Sequence, residues 1–305
     1  MSRIQQILEK AEREGAALRT HGVGTATPTP PPPVAHVATP MTPIAPAAPE
    51  AVPAPQAPHA PHTPAPPIVA TVGAPPATDR QQVTARLNPL LVAGLAPQSL
   101  AAEQYRQLRT RLSLAEGANA IRTVLITSPQ KGEGKSLTSA NLALTMAQEL
   151  QRRVVLIEAD LRKPSLQQLF GLQSGPGLSE YLSGAVDLQQ AMRVLPDHHL
   201  TVIPAGATPA NPAELLGSTA MRRLLDQLRT TFDRVILDTP PVLPLADVAI
   251  LAPMVDGALM VVRAGYTPKP AIENALRAFD SSRLLGVVLN ESGLEDDYRY
   301  ESPKH

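Results

Sequence analysis

Short, uninterrupted apolar segments alternate with amphipathic helical patterns along the chain after Arg80. The apolar segments are rich in Val, Ile and Leu without intervening polar residues, which predicts strands that are buried on both faces. Such strands, connected by helices, form a mostly parallel, doubly wound α/β sheet. The predicted strands are Ile121–Thr127, Arg153–Glu158, Leu200–Pro204, Arg234–Asp238, Ala258–Arg263 and Leu284–Leu289, and the predicted helices are Ser136–Leu150, Ala213–Thr230 and Pro270–Phe279.

A proline-rich segment precedes this α/β domain. Of the 34 prolines in the 305 residues, 18 lie between Gly24 and Arg80, and only three residues of that stretch are charged. Because the stretch has too few large apolar side chains to offset its conformational entropy, residues 21–80 are predicted to be a disordered Pro/Ala-rich linker. We favour a passive spacer over a ligand for SH3-type domains.

The chain begins with a short helical pattern. Ser2 and Gln5 have the spacing of a capping box, and the apolar residues that follow lie on one helical face, so residues 1–20 are predicted to contain an amphipathic helix. Its basic residues are balanced by acidic ones, which favours a docking helix over a membrane anchor, with a frayed tail as the further alternative.

Composition excludes several classes of function. Lys and Arg number 27, as do Asp and Glu, so the chain carries no net charge that would attract nucleic acid. It has no cysteine for disulfides or metal sites, no apolar run of membrane-spanning length and no secretory signal near Met1. We therefore expect a cytoplasmic protein that does not bind nucleic acid.

The first predicted strand leads into a glycine-rich segment. Residues 128–136 read Ser-Pro-Gln-Lys-Gly-Glu-Gly-Lys-Ser, and a predicted helix begins at their end. Backbone N–H groups of such a loop surround phosphate oxygens, Lys135 neutralises the β/γ-phosphates and the Ser136 hydroxyl ligates magnesium. The placement between strand and helix predicts a P-loop of the P-loop NTPase type, although Pro129 replaces its usual first glycine.

Acidic residues end two further predicted strands. Glu158 and Asp160 follow one strand with period-two spacing, so both are expected on the same side of the chain. Asp238 ends another strand, where a carboxylate commonly supports the magnesium of a P-loop. Without the P-loop, Asp160 would read as a helix cap with a surface ion pair to Arg162.

Several segments together resemble the bacterial tyrosine kinase family that drives exopolysaccharide and capsule synthesis. They are the P-loop, the two acidic strand ends, the Glu-x-x-Arg-x-x-Arg pattern of Glu103, Arg106 and Arg109, the Asn-Pro-x-Glu-Leu-Leu pattern of 211–216, and the similar segments 177–184 and 286–290. These segments occur in the same order as in the family and span about Leu100 to Asn290.

The resemblance implies specific roles. ATP would be held by Gly132, Glu133, Gly134, Lys135, Ser136, Leu137 and Asn290; Mg²⁺ by Ser136, Glu158, Asp160 and Asp238; and catalysis would use Lys135, Asp160 as the base for the attacking tyrosine, and Asp238. Glu103, Arg106 and Arg109 would form an oligomer contact. The family usually has Asp where this chain has Glu158, so Glu158→Asp is predicted to be tolerated.

The chain is thus predicted to comprise residues 81–292 as a P-loop kinase domain and residues 293–305 as a flexible tail with Tyr298 and Tyr300 as autophosphorylation sites. The resemblance implies a homo-oligomer that phosphorylates these tails in trans, a cognate phosphatase, and a membrane chain-length determinant (a polysaccharide co-polymerase) that activates the kinase and recruits it to the inner face of the membrane.

The alternatives are a partition-type ATPase switch and an ATP-binding scaffold with weak kinase activity. The lysine of the partition signature would fall at Gln130, which favours the kinase.

Overall fold

The computed structural model describes residues 86–116, 120–150, 152–244, 246–279 and 283–292. The predicted N-terminal helix and linker, and the tail with Tyr298 and Tyr300, lie outside these ranges and stay predictions. Among the described residues, no helix is both long and apolar enough to cross a membrane.

A seven-stranded sheet forms the centre of the fold, with the strand order β3-β4-β2-β5-β1-β6-β7. Every neighbouring pair is parallel except β3 with β4. The mostly parallel, doubly wound α/β architecture is therefore confirmed. The strands are β1 Thr123–Thr127, β2 Val154–Glu158, β3 Arg193–Leu195, β4 Leu200–Ile203, β5 Arg234–Asp238, β6 Gly257–Arg263 and β7 Leu284–Asn290.

Helices cover both faces of the sheet. Two of the three predicted helices agree with the structure: Ser136–Leu150 corresponds to the helix Lys135–Ala147, and Pro270–Phe279 to the helix Lys269–Ala278. Side-chain hydroxyls cap two of the longer helices: Ser99 accepts from the Ala102 N–H and Ser218 from the Met221 N–H. The helices are α1 Val92–Leu95, α2 Leu100–Ala115, α3 Lys135–Ala147, α4 Leu166–Leu169, α5 Leu178–Leu182, α6 Leu188–Ala191, α7 Pro212–Leu216, α8 Thr219–Thr231, α9 Asp247–Leu251 and α10 Lys269–Ala278.

Two hydrophobic clusters, one on each face, hold these layers together. Successive strand residues point to opposite faces, so Val124 and Ile126 pack with α2 and α3, whereas Leu125 packs with α8, α9 and α10. This explains why the central strands have no polar alternation: each side of β1, β2 and β5 is buried.

Two details of the predicted secondary structure were wrong. The edge strand β3 was not predicted, because its three residues lie just before Pro196 and carry almost no periodic signal. The single helix predicted for 213–230 is two helices, α7 and α8, because the first ends at Gly217 and the hydroxyl of Ser218 caps the second. Apolar periodicity continues across the break, so pattern alone did not reveal it.

The carboxyl ends of the central strands meet at one edge of the sheet. In the pairing of β2 with β5, Glu158 lies opposite Asp238, and in the pairing of β5 with β1, Asp238 lies opposite Ile126. The P-loop follows β1 directly. Ligands of open α/β sheets bind at this edge, and the fold gathers the predicted site residues there.

Candidate nucleotide and phosphoryl-transfer site

The P-loop turns sharply at its two glycines. Gly132 and Gly134 have φ of 82° and 89°, in the left-handed region that glycine adopts without strain. Gly134 is also the residue before α3, so the backbone N–H groups at the start of that thirteen-residue helix face the inside of the loop. The loop geometry fits phosphate binding.

Glu133 braces the loop from within. Its side chain is fully buried, and Oε2 accepts from the Gln130 N–H at 2.7 Å while Oε1 accepts from the Thr267 hydroxyl. Burial raises the pKa of Glu133, and these hydrogen bonds oppose that shift. Its described contacts are thus internal to the protein, and they shape the loop that would hold ATP.

Asn290, at the end of β7, closes against the same loop. Its Nδ2 donates to the Glu133 carbonyl oxygen at 3.0 Å. A Cβ at Gly134 would lie 2.1 Å from Asn290 Nδ2 and would push the amide away from the loop, in addition to the strain of the positive φ. The structure thereby brings Asn290 and the P-loop together, and a contact of Asn290 with nucleotide stays a prediction.

Lys135 lies among carboxylates at the entrance to α3. Its Nζ is 3.0 Å from Asp160 Oδ2 and 3.1 Å from Ser136 Oγ. Burial alone would lower the pKa of Lys135, but the charges of Asp238, Asp160 and Glu158 more than compensate and raise it. The ammonium is therefore firmly charged, as a phosphate-binding cation must be.

Asp238 is completely buried beside the P-loop. The Ser139 hydroxyl lies 2.8 Å from the Lys135 carbonyl oxygen and 3.1 Å from Asp238 Oδ1, and Asp238 Oδ2 has no hydrogen-bond partner. Burial raises the pKa of Asp238, and the nearby charge of Lys135 partly offsets it. A buried carboxylate oxygen without a partner is costly unless a cation or its water is present.

These residues fit a magnesium ion bound together with nucleotide. Mg²⁺ commonly takes one or two carboxylates, with phosphates and water completing its shell, and the free Oδ2 of Asp238 and the nearby Ser136 hydroxyl supply protein ligands. The donor set therefore suits a metal that arrives with its phosphates.

Glu158 makes different contacts. Its Oε1 accepts from the Ser165 N–H and from the Leu166 N–H at 2.7 Å, and its Oε2 accepts from the Ala205 N–H at 3.2 Å. Burial raises the pKa of Glu158 to about 7 against these hydrogen bonds. The contacts favour a role in fastening the loops after β2 and β4, and magnesium ligation by Glu158 stays a prediction.

These contacts reverse the expectation for Glu158→Asp. The shorter side chain withdraws the carboxylate from buried backbone donors, each of which costs about 1–3 kcal/mol when left unpaired. We expect the variant to unfold at lower temperature and to transfer phosphate more slowly than the parent. Thermal unfolding and a transfer assay check this, with Glu273→Asp, at a partly exposed position of α10, as a control; parental values for Glu158→Asp would restore the original expectation.

The three α2 residues predicted at an oligomer contact have partners within the chain. Arg106 pairs with Glu103 at 2.6 Å and donates to the Pro97 carbonyl oxygen, while Arg109 donates to the Thr145 carbonyl oxygen at 2.9 Å and pairs with Glu149 at 3.1 Å. These contacts fasten α2 to the preceding segment and to α3. An additional role between subunits stays a prediction.

Sequence reasoning missed several side chains that shape the site. Ser139 lies one helical turn after Lys135, a spacing that could have placed its hydroxyl on the same face. Thr267 carries no local signal, because its partner Glu133 is 134 residues away. For Arg162 the sequence suggested an ion pair with Asp160, whereas the structure pairs it with Asp247, 85 residues away.

The fold and this site define a P-loop ATPase-type domain, and the AAA domain family matches residues 121–278. The tyrosine-protein kinase YwqD of Bacillus subtilis (strain 168) is 39% identical over 223 residues, which are 72% of this chain and 94% of that protein. The tyrosine-protein kinase ptk of Acinetobacter johnsonii is 34% identical over 229 residues, 74% of this chain but 31% of that protein.

Solved structures give the same result. The kinase domain of the Escherichia coli tyrosine kinase ETK is 33% identical with a TM-score of 0.63, covering 66% of this chain and 79% of that one. The chimerical protein CapA2B2 is 29% identical with a TM-score of 0.63, covering 68% and 92%. The chain belongs to the bacterial tyrosine-protein kinase family, as the sequence resemblance indicated.

Proposed function

We propose that the chain is an ATP-dependent protein-tyrosine autokinase that phosphorylates Tyr298 and Tyr300 in trans and thereby regulates exopolysaccharide or capsule synthesis and its chain length. The observation that carries the proposal is the position of Asp160. Its carboxylate lies 3.0 Å from the ammonium of Lys135, at the mouth of the P-loop. A carboxylate next to the phosphate-binding cation is where a base for an attacking hydroxyl is needed.

The proposed reaction moves one phosphoryl group and one proton. The tyrosine oxygen attacks the γ-phosphorus of ATP, the bond to the β-phosphate oxygen breaks, and ADP leaves. The phenol has an ordinary pKa of about 10 and is protonated at neutral pH, so Asp160 accepts its proton. Lys135 neutralises the phosphate oxygens and keeps the triphosphate in line with the acceptor.

Ser136 and Asp238 would hold the magnesium ion, and their contacts make them suitable. When bound, the ion supplies positive charge to the phosphate oxygens. The Ser139 hydroxyl lies 3.1 Å from one oxygen of Asp238, and the other oxygen has no hydrogen-bond partner, which leaves it available. Glu133 and Asn290 maintain the shape of the loop around the nucleotide.

Intact-mass measurement after incubation with Mg-ATP tests the proposal. The kinase reading expects phosphate on the parent protein and none on Tyr298→Phe/Tyr300→Phe. Tyr266→Phe is the matched control, because Tyr266 is 56% exposed, whereas Tyr105 and Tyr181 are each partly buried against helices. Free phosphate without modified protein would indicate the partition-type ATPase switch. The absence of both products would indicate a scaffold.

The proposed assembly is a homo-oligomer whose tails enter neighbouring sites. Its activator would be a membrane chain-length determinant that recruits the kinase to the inner face of the membrane, and a phosphatase would reverse the modification. The family resemblance supports these partners. The homo-oligomer can be tested on the chain alone, because self-association needs no other protein.

We expect Arg106→Ala/Arg109→Ala to lower the mass of the particle measured by light scattering and to reduce tail phosphorylation with it. Arg111→Ala is the matched control, since Arg111 is exposed on the same helix. Because Arg109 also fastens α2 to α3, thermal unfolding of each variant must be compared. An unchanged mass for the folded double variant would assign these arginines to intrachain contacts alone.

A further inference from the structure

An ion pair between Arg162 and Asp247 lies beside the candidate site. Arg162 Nε donates to Asp247 Oδ2 at 2.8 Å, and its Nη2 donates to Oδ1 at 3.2 Å. The Asp247 side chain is 1% exposed, whereas that of Arg162 is 37% exposed. Two parallel hydrogen bonds between a guanidinium and a carboxylate fix orientation as well as distance.

The pair joins the two segments that carry the acids of the site. Arg162 lies two residues after Asp160, in the loop that follows β2. Asp247 begins α9, on the segment that follows β5 and Asp238. Because β2 and β5 are neighbours, the pair links these segments directly beyond the edge of the sheet.

The loop after β2 is also held at both ends. At its start, the Ala159 N–H donates to the Asp238 carbonyl oxygen at 2.7 Å, and at its end Glu158 accepts from the Ser165 N–H. Between them, the buried side chain of Leu161 packs in the core. The Arg162 pair adds a directional contact on the part of the loop next to the catalytic carboxylate.

That carboxylate depends on the loop backbone. Asp160 Oδ1 accepts from the Lys163 N–H at 3.0 Å, which leaves Oδ2 directed to Lys135. A change at Arg162 would therefore shift the adjoining Lys163 N–H and turn the Asp160 carboxylate away from Lys135. The Asp247 carboxylate is buried, where it is costly without a cationic partner, and this keeps Arg162 in place.

We infer that Arg162 and Asp247 are positioning residues for phosphoryl transfer, which they support by holding the loop after β2 so that Asp160 faces Lys135. The inference rests on the proposed function, because Asp160 is the proposed base. It adds Arg162 and Asp247 to that function, although neither side chain touches the reacting atoms. It also explains why a fully buried acid begins a helix as short as α9.

Kinetics of Arg162→Ala and Asp247→Asn test the inference. We expect kcat for phosphoryl transfer to fall about 10- to 100-fold, since a displacement near 1 Å has an effect of that size, while the Kd for ADP stays within about threefold. The double variant should lose no more than the worse single one, because the pair acts as a unit. Arg153→Ala, which removes an exposed pair with Asp233 at the opposite end of the sheet, should keep parental kcat.

Arg162→Lys shows whether a loss of activity in Arg162→Ala comes from misfolding. It keeps a cation opposite buried Asp247 but cannot make both hydrogen bonds. We expect it to melt close to the parent and to show an intermediate kcat. Full kcat in Arg162→Ala would overturn the inference. So would a loss of ADP affinity and melting temperature as large in Arg162→Lys as in Arg162→Ala, because that pattern marks a purely structural pair.

Hydrogen exchange provides a readout without nucleotide or catalysis. In Arg162→Ala the Lys163 amide should exchange faster, whereas amides of β1 and β5 should be unchanged. Unchanged exchange at Lys163 would overturn the inference even if activity fell. If the parent protein transferred no phosphate to tyrosine, the proposed function would fail, and the exchange result would still decide whether the pair orders the loop.

Discussion

Lys135→Met is expected to abolish nucleotide binding. The side chain of Lys135 is 12% exposed, and its ammonium is surrounded by the charges of Asp160, Asp238 and Glu158. Without this ammonium, a triphosphate would bind next to carboxylates, with no lysine to neutralise its charge. We expect the Kd for ADP and ATP, measured by calorimetry, to rise on the order of 100-fold or more, equivalent to about 3 kcal/mol.

Lys131→Met is the matched control for this variant. Lys131 lies in the same loop but is exposed, and its removal should leave the Kd within about threefold, as for surface charges. Thermal unfolding shows whether Lys135→Met is folded, because the variant leaves buried acids without their cation. A folded Lys135→Met that retained parental affinity would refute the P-loop assignment.

Asp160→Asn is expected to separate binding from transfer. The amide still accepts a hydrogen bond from Lys135 but cannot accept the phenol proton, so kcat should fall about 10²- to 10⁴-fold. The Kd for ADP should change little, since the loop backbone and Lys135 are unaltered. Single-turnover transfer to the tail, together with calorimetry, measures the two quantities independently.

Asp197→Asn is a suitable control, because Asp197 is exposed in the turn before β4 and distant from the proposed chemistry. It should transfer phosphate at the parental rate. If Asp160→Asn also retained that rate, the base would be a different group. An equal loss of ADP affinity and kcat would instead assign Asp160 to nucleotide binding.

The central architecture was predictable because its signals are local. Each buried parallel strand is a continuous apolar segment, and the nine residues of the P-loop follow β1 directly in the sequence. The edge strand β3 and the break between α7 and α8 were not predictable in this way. The first is stabilised by pairing with β4, and the second by one cap at Ser218, neither of which alters apolar periodicity.

The site was predictable as a set of residues but not as a set of contacts. Strand-end position identified Glu158, Asp160 and Asp238, because the carboxyl ends of parallel strands share one edge. It could not distinguish their roles. The three backbone donors on Glu158 come from two different loops, and the unpartnered oxygen of Asp238 results from its complete burial in the packed fold.

The sequence by itself therefore determined the six parallel strands, the P-loop and the acids at the edge of the sheet, since periodicity, glycine placement and strand ends are properties of short segments. Only the tertiary structure decided that Thr267 braces Glu133, that Asn290 closes on Gly134, and that Arg162 is held by Asp247. The physical reason is that a buried polar group takes whichever partner the packed chain brings within about 3 Å, and that partner has no fixed separation in sequence.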